Sequence, residues 1–129
     1  MSSEIKTIHR RDRPRPLELS GWTWCISFEQ QKLFVTVNHD GEEILEVFVT
    51  EMLSNGIGLL TSKMLQSGCF AAREVARSLR KIDSTLHVRF NGKIINSPEQ
   101  AVAECLLIAE ARLEEQRVYK LSLESNSME

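Results

Sequence analysis

The chain has 129 residues, 42% hydrophobic and 26% charged, which fits one globular domain with its own core. This composition excludes a fully disordered chain, and no run of 18 apolar residues predicts a membrane-spanning helix. The charged N-terminal residues lack the apolar stretch of a signal peptide, so we expect a cytoplasmic protein. The net charge of −2 argues against a protein that coats DNA but allows a local basic patch.

The first 20 residues show no apolar periodicity. They carry four arginines interleaved with prolines: Arg10, Arg11, Arg13 and Arg15. Proline favours extended backbone, and such a composition cannot form a packed core. Residues 1–20 are therefore predicted to be a flexible basic arm.

Alternation of apolar and polar residues begins at Gly21 and predicts a half-buried strand through Phe28. The same pattern returns at 33–37, before a turn signal at 38–41, and again at 44–50. Connections this short join antiparallel neighbours. The sequence thus predicts a three-stranded antiparallel meander.

After Thr50 the period lengthens to that of a helix, which predicts helices near 55–68, 70–82 and 98–116 and a short strand at 86–90. Ser97 can cap the last helix, with Pro98 at its first position and Gln100 completing a capping box. The predicted fold is α+β, a meander packed against about three helices, over 21–121, with a disordered tail at 122–129. Residues expected to be buried are Ile26, Val35, Val47, Leu60, Leu79, Leu106 and Leu113.

No catalytic motif such as GxSxG, HExxH or a P-loop is present, and we predict no catalytic residue. The glycines of the segment 55–58 favour a plain loop over an anion site, and His39 with Asp40 favours a turn over a general base. Trp22 and Trp24 could stack on bases but are more typical of a sheet's core face. The cysteines lie far apart in sequence, so we expect neither a disulfide nor a metal site: Cys25, Cys69 and Cys105.

Basic residues also line the second predicted helix, at Arg73, Arg77, Arg80 and Lys81. Together with the arginines of the arm they could bind the phosphates of a nucleotide or nucleic acid, or an acidic protein. The alternative is an ordinary solvated helix face. These eight residues are the candidate partner-binding or phosphate-binding site.

The segments RPRPLELSGWTWCISF, LFVTVN and EVFVT, followed by IGLL, LQSG and INSPEQAVAECL, resemble the TSCPD domain over roughly residues 13–113. That domain is found at the C-terminal end of the adenosylcobalamin-dependent ribonucleotide reductases and also occurs alone. The family's Thr-Ser-Cys-Pro-Asp motif is similar to the stretch 95–99 here, with Ser97 in the place of the cysteine. The glycine-rich segment after EVFVT is altered to the residues 51–56.

The resemblance implies a role in deoxyribonucleotide synthesis without the chemistry of ribonucleoside-diphosphate reductase. The radical-forming barrel and redox tail lie in another domain, and adenosylcobalamin belongs there, so no cofactor is expected. One hypothesis is a non-catalytic accessory or split-off part that binds a reductase catalytic subunit or its nucleotides. The other is a recruited regulator that binds nucleic acid or protein through the basic arm and helix. A homo-oligomer is possible under both, and an independent enzyme is the least favoured reading.

Overall fold

The computed structural model describes residues 18–28, 31–50 and 56–127, with side chains through 125. It contains three longer strands, β1 (Ser20–Phe28), β2 (Gln31–His39) and β3 (Ile44–Thr50). They form a sheet in the order β1-β2-β3 with antiparallel neighbours, which confirms the predicted meander. Alternate side chains of β2 and β3 point into the core, which explains the alternating sequence pattern; four of them are Val35, Val37, Val47 and Val49.

Three helices accompany this sheet: α1 (Gly56–Gln66), α2 (Ala72–Leu79) and α3 (Pro98–Ser127). The α+β fold class is therefore confirmed. The short strands β4 (Val88–Phe90) and β5 (Lys93–Ile95) form a separate hairpin. Asn91 and Gly92 join them, both at positive φ (54° and 76°), as a two-residue hairpin turn requires. β4 matches the strand predicted at 86–90, whereas β5 was not predicted.

The central helix α3 begins at Pro98 as predicted but ends at Ser127, well beyond the predicted 116. Residues 122–127 are helical, where the sequence analysis expects a disordered tail. Residues 101–106 are all buried, because the first half of α3 packs against the sheet, α2 and the β4–β5 hairpin. From Glu114 to Ser125 the helix is exposed.

Five of the seven predicted core residues are buried: Ile26, Val35, Val47, Leu106 and Leu113. Leu79 is partly buried. The prediction for Leu60 is wrong, since its side chain is 64% exposed. α1 instead buries Gly58, Thr61 and Leu65. A Cβ at Gly58 would lie 3.0 Å from the carbonyl oxygen of Val47, so this close approach to β3 turns Leu60 outward.

Candidate functional site

The exposed face of α2 carries the basic residues that the sequence singled out. Ala72, Val75 and Ala76 are buried against α3, which leaves the arginines on the opposite side. At the start of the helix, the Glu74 carboxylate accepts a 2.9 Å hydrogen bond from the backbone N–H of Ala71. Small apolar residues on one face and long cations on the other therefore fix which way α2 points its charges.

Arg73 and Arg77 lie four residues apart and share one face of α2, and Lys81 follows in the turn after the last helical residue, Leu79. We call these three residues the basic stripe. All three are exposed. Within the ranges that the structure describes, no carboxylate forms an ion pair with any of them.

Arg80, the fourth predicted cation, is positioned differently. Its Nε lies 3.9 Å from Oε2 of Glu104, a side chain of α3 that is only 5% exposed. The second oxygen of Glu104 lies 3.3 Å from Nζ of Lys93 on β5. Glu104 thus pairs with two cations from separate segments of the chain, and buried charges in proteins are ordinarily paired in this way.

Lys93 and Glu104 were not predicted from the sequence. They are 11 residues apart on different elements, and only the packing of the β4–β5 hairpin against α3 brings them together. A glutamate within an otherwise apolar helix stripe was the one available signal. The remaining predicted site residues, Arg10, Arg11, Arg13 and Arg15, lie outside the described residues.

Trp22 and Trp24 do not lie fully in the core. Both are half-buried, and the guanidinium carbon of Arg112 on α3 lies 5.4 Å from the ring centroid of each. Trp22 also stacks on His39, with ring centroids 4.7 Å apart. Such cation–π and stacking contacts cover the rings at the sheet boundary.

His39 and Asp40 form the predicted turn. Nδ1 of His39 accepts a 2.9 Å hydrogen bond from the N–H of Gly41, and Asp40 accepts from the N–H groups of Glu42 and Glu43 at 3.0 and 2.9 Å. Gly41 has a φ of 98°, which favours glycine. Burial lowers the pKa of His39 below its ordinary 6.5, and the nearby Asp40 charge opposes this shift only in part. A neutral imidazole suits its role as acceptor.

None of the three cysteines forms a disulfide. Cys25 and Cys69 are exposed, and Cys105 is buried in α3. Burial, aided by the negative charge of Glu104, raises the pKa of the Cys105 thiol to about 12. In the described part of the chain, no group of three or more histidine, cysteine or acidic side chains could hold a metal ion.

Ser97 caps α3 as predicted. Its hydroxyl accepts a 3.1 Å hydrogen bond from the N–H of Gln100, while the Gln100 side-chain oxygen accepts from the N–H of Asn96 at 2.7 Å. Ser97 therefore marks the N-terminus of α3.

No helix in the described residues is both long and apolar enough to cross a membrane. Comparison with curated proteins and with solved structures gave no match. The family model described as the TSCPD domain matches residues 6–110, which include all three longer strands, both short strands, α1, α2 and the first half of α3. The chain therefore belongs to the TSCPD domain family.

Proposed function

We propose that this protein is a non-catalytic accessory module, or a split-off part, of a ribonucleotide reductase, and that it docks on the reductase through the basic stripe. The TSCPD domain is associated with ribonucleotide reductases, and the family match supports a role in deoxyribonucleotide synthesis. Exposed cysteines that form no disulfide, such as Cys25 and Cys69 here, are typical of a reducing compartment, so we propose that this function is cytoplasmic.

The observation that carries this proposal is a group of three exposed cations, two on α2 and one just after it, without a described counter-ion. Like charges four residues apart on a helix cost about 0.2–0.5 kcal/mol per pair, so Arg73 beside Arg77 does not help α2 to fold. Arginine presents forked donors that fit carboxylates and phosphates. An anionic surface on a partner would offset the repulsion within the stripe.

A protein partner fits this chain better than nucleic acid does. The net charge is −2, so the chain as a whole repels a polyanion and only its local basic segments attract one. The basic stripe alone is enough to bind a local acidic patch on a reductase surface. Arg10 to Pro16, in the N-terminal arm, supply a second basic segment that can tether the module.

The test is affinity purification of the full-length protein from its native cells, with Arg73→Glu/Arg77→Glu as the variant. The matched control is Lys32→Glu/Lys63→Glu, which reverses two exposed charges on β2 and α1. We expect wild type and control to recover a reductase catalytic subunit and the stripe variant to lose it. Failure of wild type to recover a reductase, with salt-sensitive recovery of nucleic acid instead, would favour a recruited regulator.

A further inference from the structure

The two edges of the three-stranded sheet differ in whether side chains bond to their outward backbone groups. At the β3 edge, the Ser62 hydroxyl of α1 accepts a 2.9 Å hydrogen bond from the N–H of Val47 and donates one of 3.1 Å to its carbonyl oxygen. The amide of Gln66 donates to the carbonyl oxygen of Leu45 at 3.0 Å. Side chains of α1 therefore occupy the backbone groups that a further strand would use.

These bonds also fix the direction of every backbone group across the sheet. Because Val47 points its N–H and C=O toward α1, its partner Val37 points the same groups the other way, toward Trp22 on β1. Trp22, Trp24 and Ile26 then bond to β2. The alternate residues of β1 direct their N–H and C=O groups outward: Gly21, Thr23, Cys25 and Ser27.

Within the described ranges, the β1 edge lacks three usual protections: a charged residue, a proline and a paired outer strand. Ser20–Phe28 is nine residues long, about 30 Å, and contains no charged residue and no proline. Its register with β2 runs through nine pairs without a bulge. Among the described strands, none pairs with β1 on its outer side, and the β4–β5 hairpin forms a separate sheet. A long, uncharged, regular edge is a template for another strand.

We propose that β1 pairs antiparallel with β1 of a second copy of this chain, centred on Trp24, to form a continuous six-stranded sheet. This register places Thr23 of each copy opposite Cys25 of the other, and both direct their backbone groups outward. An uncharged strand pairs with itself without opposing like charges. The inference concerns a surface other than the basic stripe and does not depend on the proposed function.

The half-buried tryptophans favour a second copy over an unrelated peptide. Trp24 lies on the core face of the edge strand, so the twofold axis brings two Trp24 rings together beside the two Arg112 side chains. Tryptophan and arginine are enriched at the buried centres of interfaces. The pairing thus completes the burial of rings that one copy covers only in part.

Sedimentation of the full-length protein tests the proposal, with Cys25→Lys as the variant and Thr50→Lys as the control. Both positions are exposed and both lie opposite Phe34, one on the open edge and one on the edge sealed by α1. We expect a dimer for wild type and for Thr50→Lys. Cys25→Lys should raise the dimer dissociation constant at least about tenfold.

Hydrogen exchange of the wild-type protein is a second test, which does not depend on whether Cys25→Lys folds. The outward amides of Thr23, Cys25 and Ser27 should become protected as protein concentration rises through the dimer transition. A wild-type protein that stays monomeric at millimolar concentration would overturn the proposal. Protection of these amides independent of concentration would overturn it too, because the chain's own residues would then cover the edge.

Discussion

The Ser97 hydroxyl donates a 2.5 Å hydrogen bond to the carbonyl oxygen of Ile82 and so fastens the start of α3 to the segment that follows α2. The same hydroxyl caps α3 by accepting from the N–H of Gln100. Gln100 adds to this contact, because its amide nitrogen lies 3.1 Å from the same Ile82 oxygen and 2.8 Å from the carboxylate of Asp83. Ser97 and Gln100 therefore help to set how α2 packs against α3.

Replacement of Ser97 by alanine should destabilise the fold by about 0.5–2 kcal/mol, because α3 loses its cap while Gln100 still satisfies the Ile82 oxygen. Urea denaturation measures the change. Ser78→Ala is the control, since Ser78 is an exposed serine of α2 and should leave the midpoint unchanged. Equal midpoints for wild type and Ser97→Ala would contradict the capping role.

Gly21→Ala should destabilise the protein by about 1–3 kcal/mol, since there is no room for a side chain at this position. A Cβ there would collide with the Asn38 side chain and the carbonyl oxygen of Val37. Asn38 itself is fixed by donating a 2.9 Å hydrogen bond to Glu46. Thermal unfolding checks this, with Ser20→Ala, at the exposed neighbouring residue, as the control that should melt with wild type.

Acidification should destabilise the protein through His39. Its folded-state pKa is lowered, so the unfolded chain takes up a proton first as the pH falls below 6.5, and the stabilisation present above that pH is lost. Denaturation midpoints across this range should fall more steeply for wild type than for His39→Gln. Identical slopes would show that the buried imidazole does not contribute.

Cys105 should resist thiol reagents in the native protein, whereas Cys25 and Cys69 react quickly. Burial keeps the Cys105 thiol inaccessible, and its pKa, raised to about 12, keeps it protonated. Mass spectrometry after brief labelling should find two modified cysteines, and a third only after denaturant is added. Labelling of Cys105 at the rate of Cys25 would refute the packing described for α3.

The meander was predictable because alternation of side chains reports directly which face of a strand is buried, as Val35 and Val37 show. α1 was harder to predict. Its apolar residues suggested that Leu60 would be buried, but the close contact of Gly58 with Val47 decides the rotation of the helix. That contact depends on tertiary packing, which helical periodicity does not encode.

The candidate site was predictable in part for the same reason. The spacing of Arg73 and Arg77 places them on one helix face, and the structure shows both exposed. The pairing of Glu104 with Arg80 and Lys93 depends on how three segments of the chain pack together, so no local sequence pattern predicts it. The turn role of His39 was predictable, whereas its stacking on Trp22 was not.

Docking on a reductase through the basic stripe is tested most directly by calorimetric titration of this protein into a purified ribonucleotide reductase catalytic subunit from the same cell. We expect binding that weakens as salt rises from about 0.05 to 0.5 M. Arg73→Glu/Arg77→Glu should weaken it at least about tenfold, and Lys32→Glu/Lys63→Glu should not. Absence of wild-type binding at low salt, or equal affinity for the stripe variant, would contradict docking through α2.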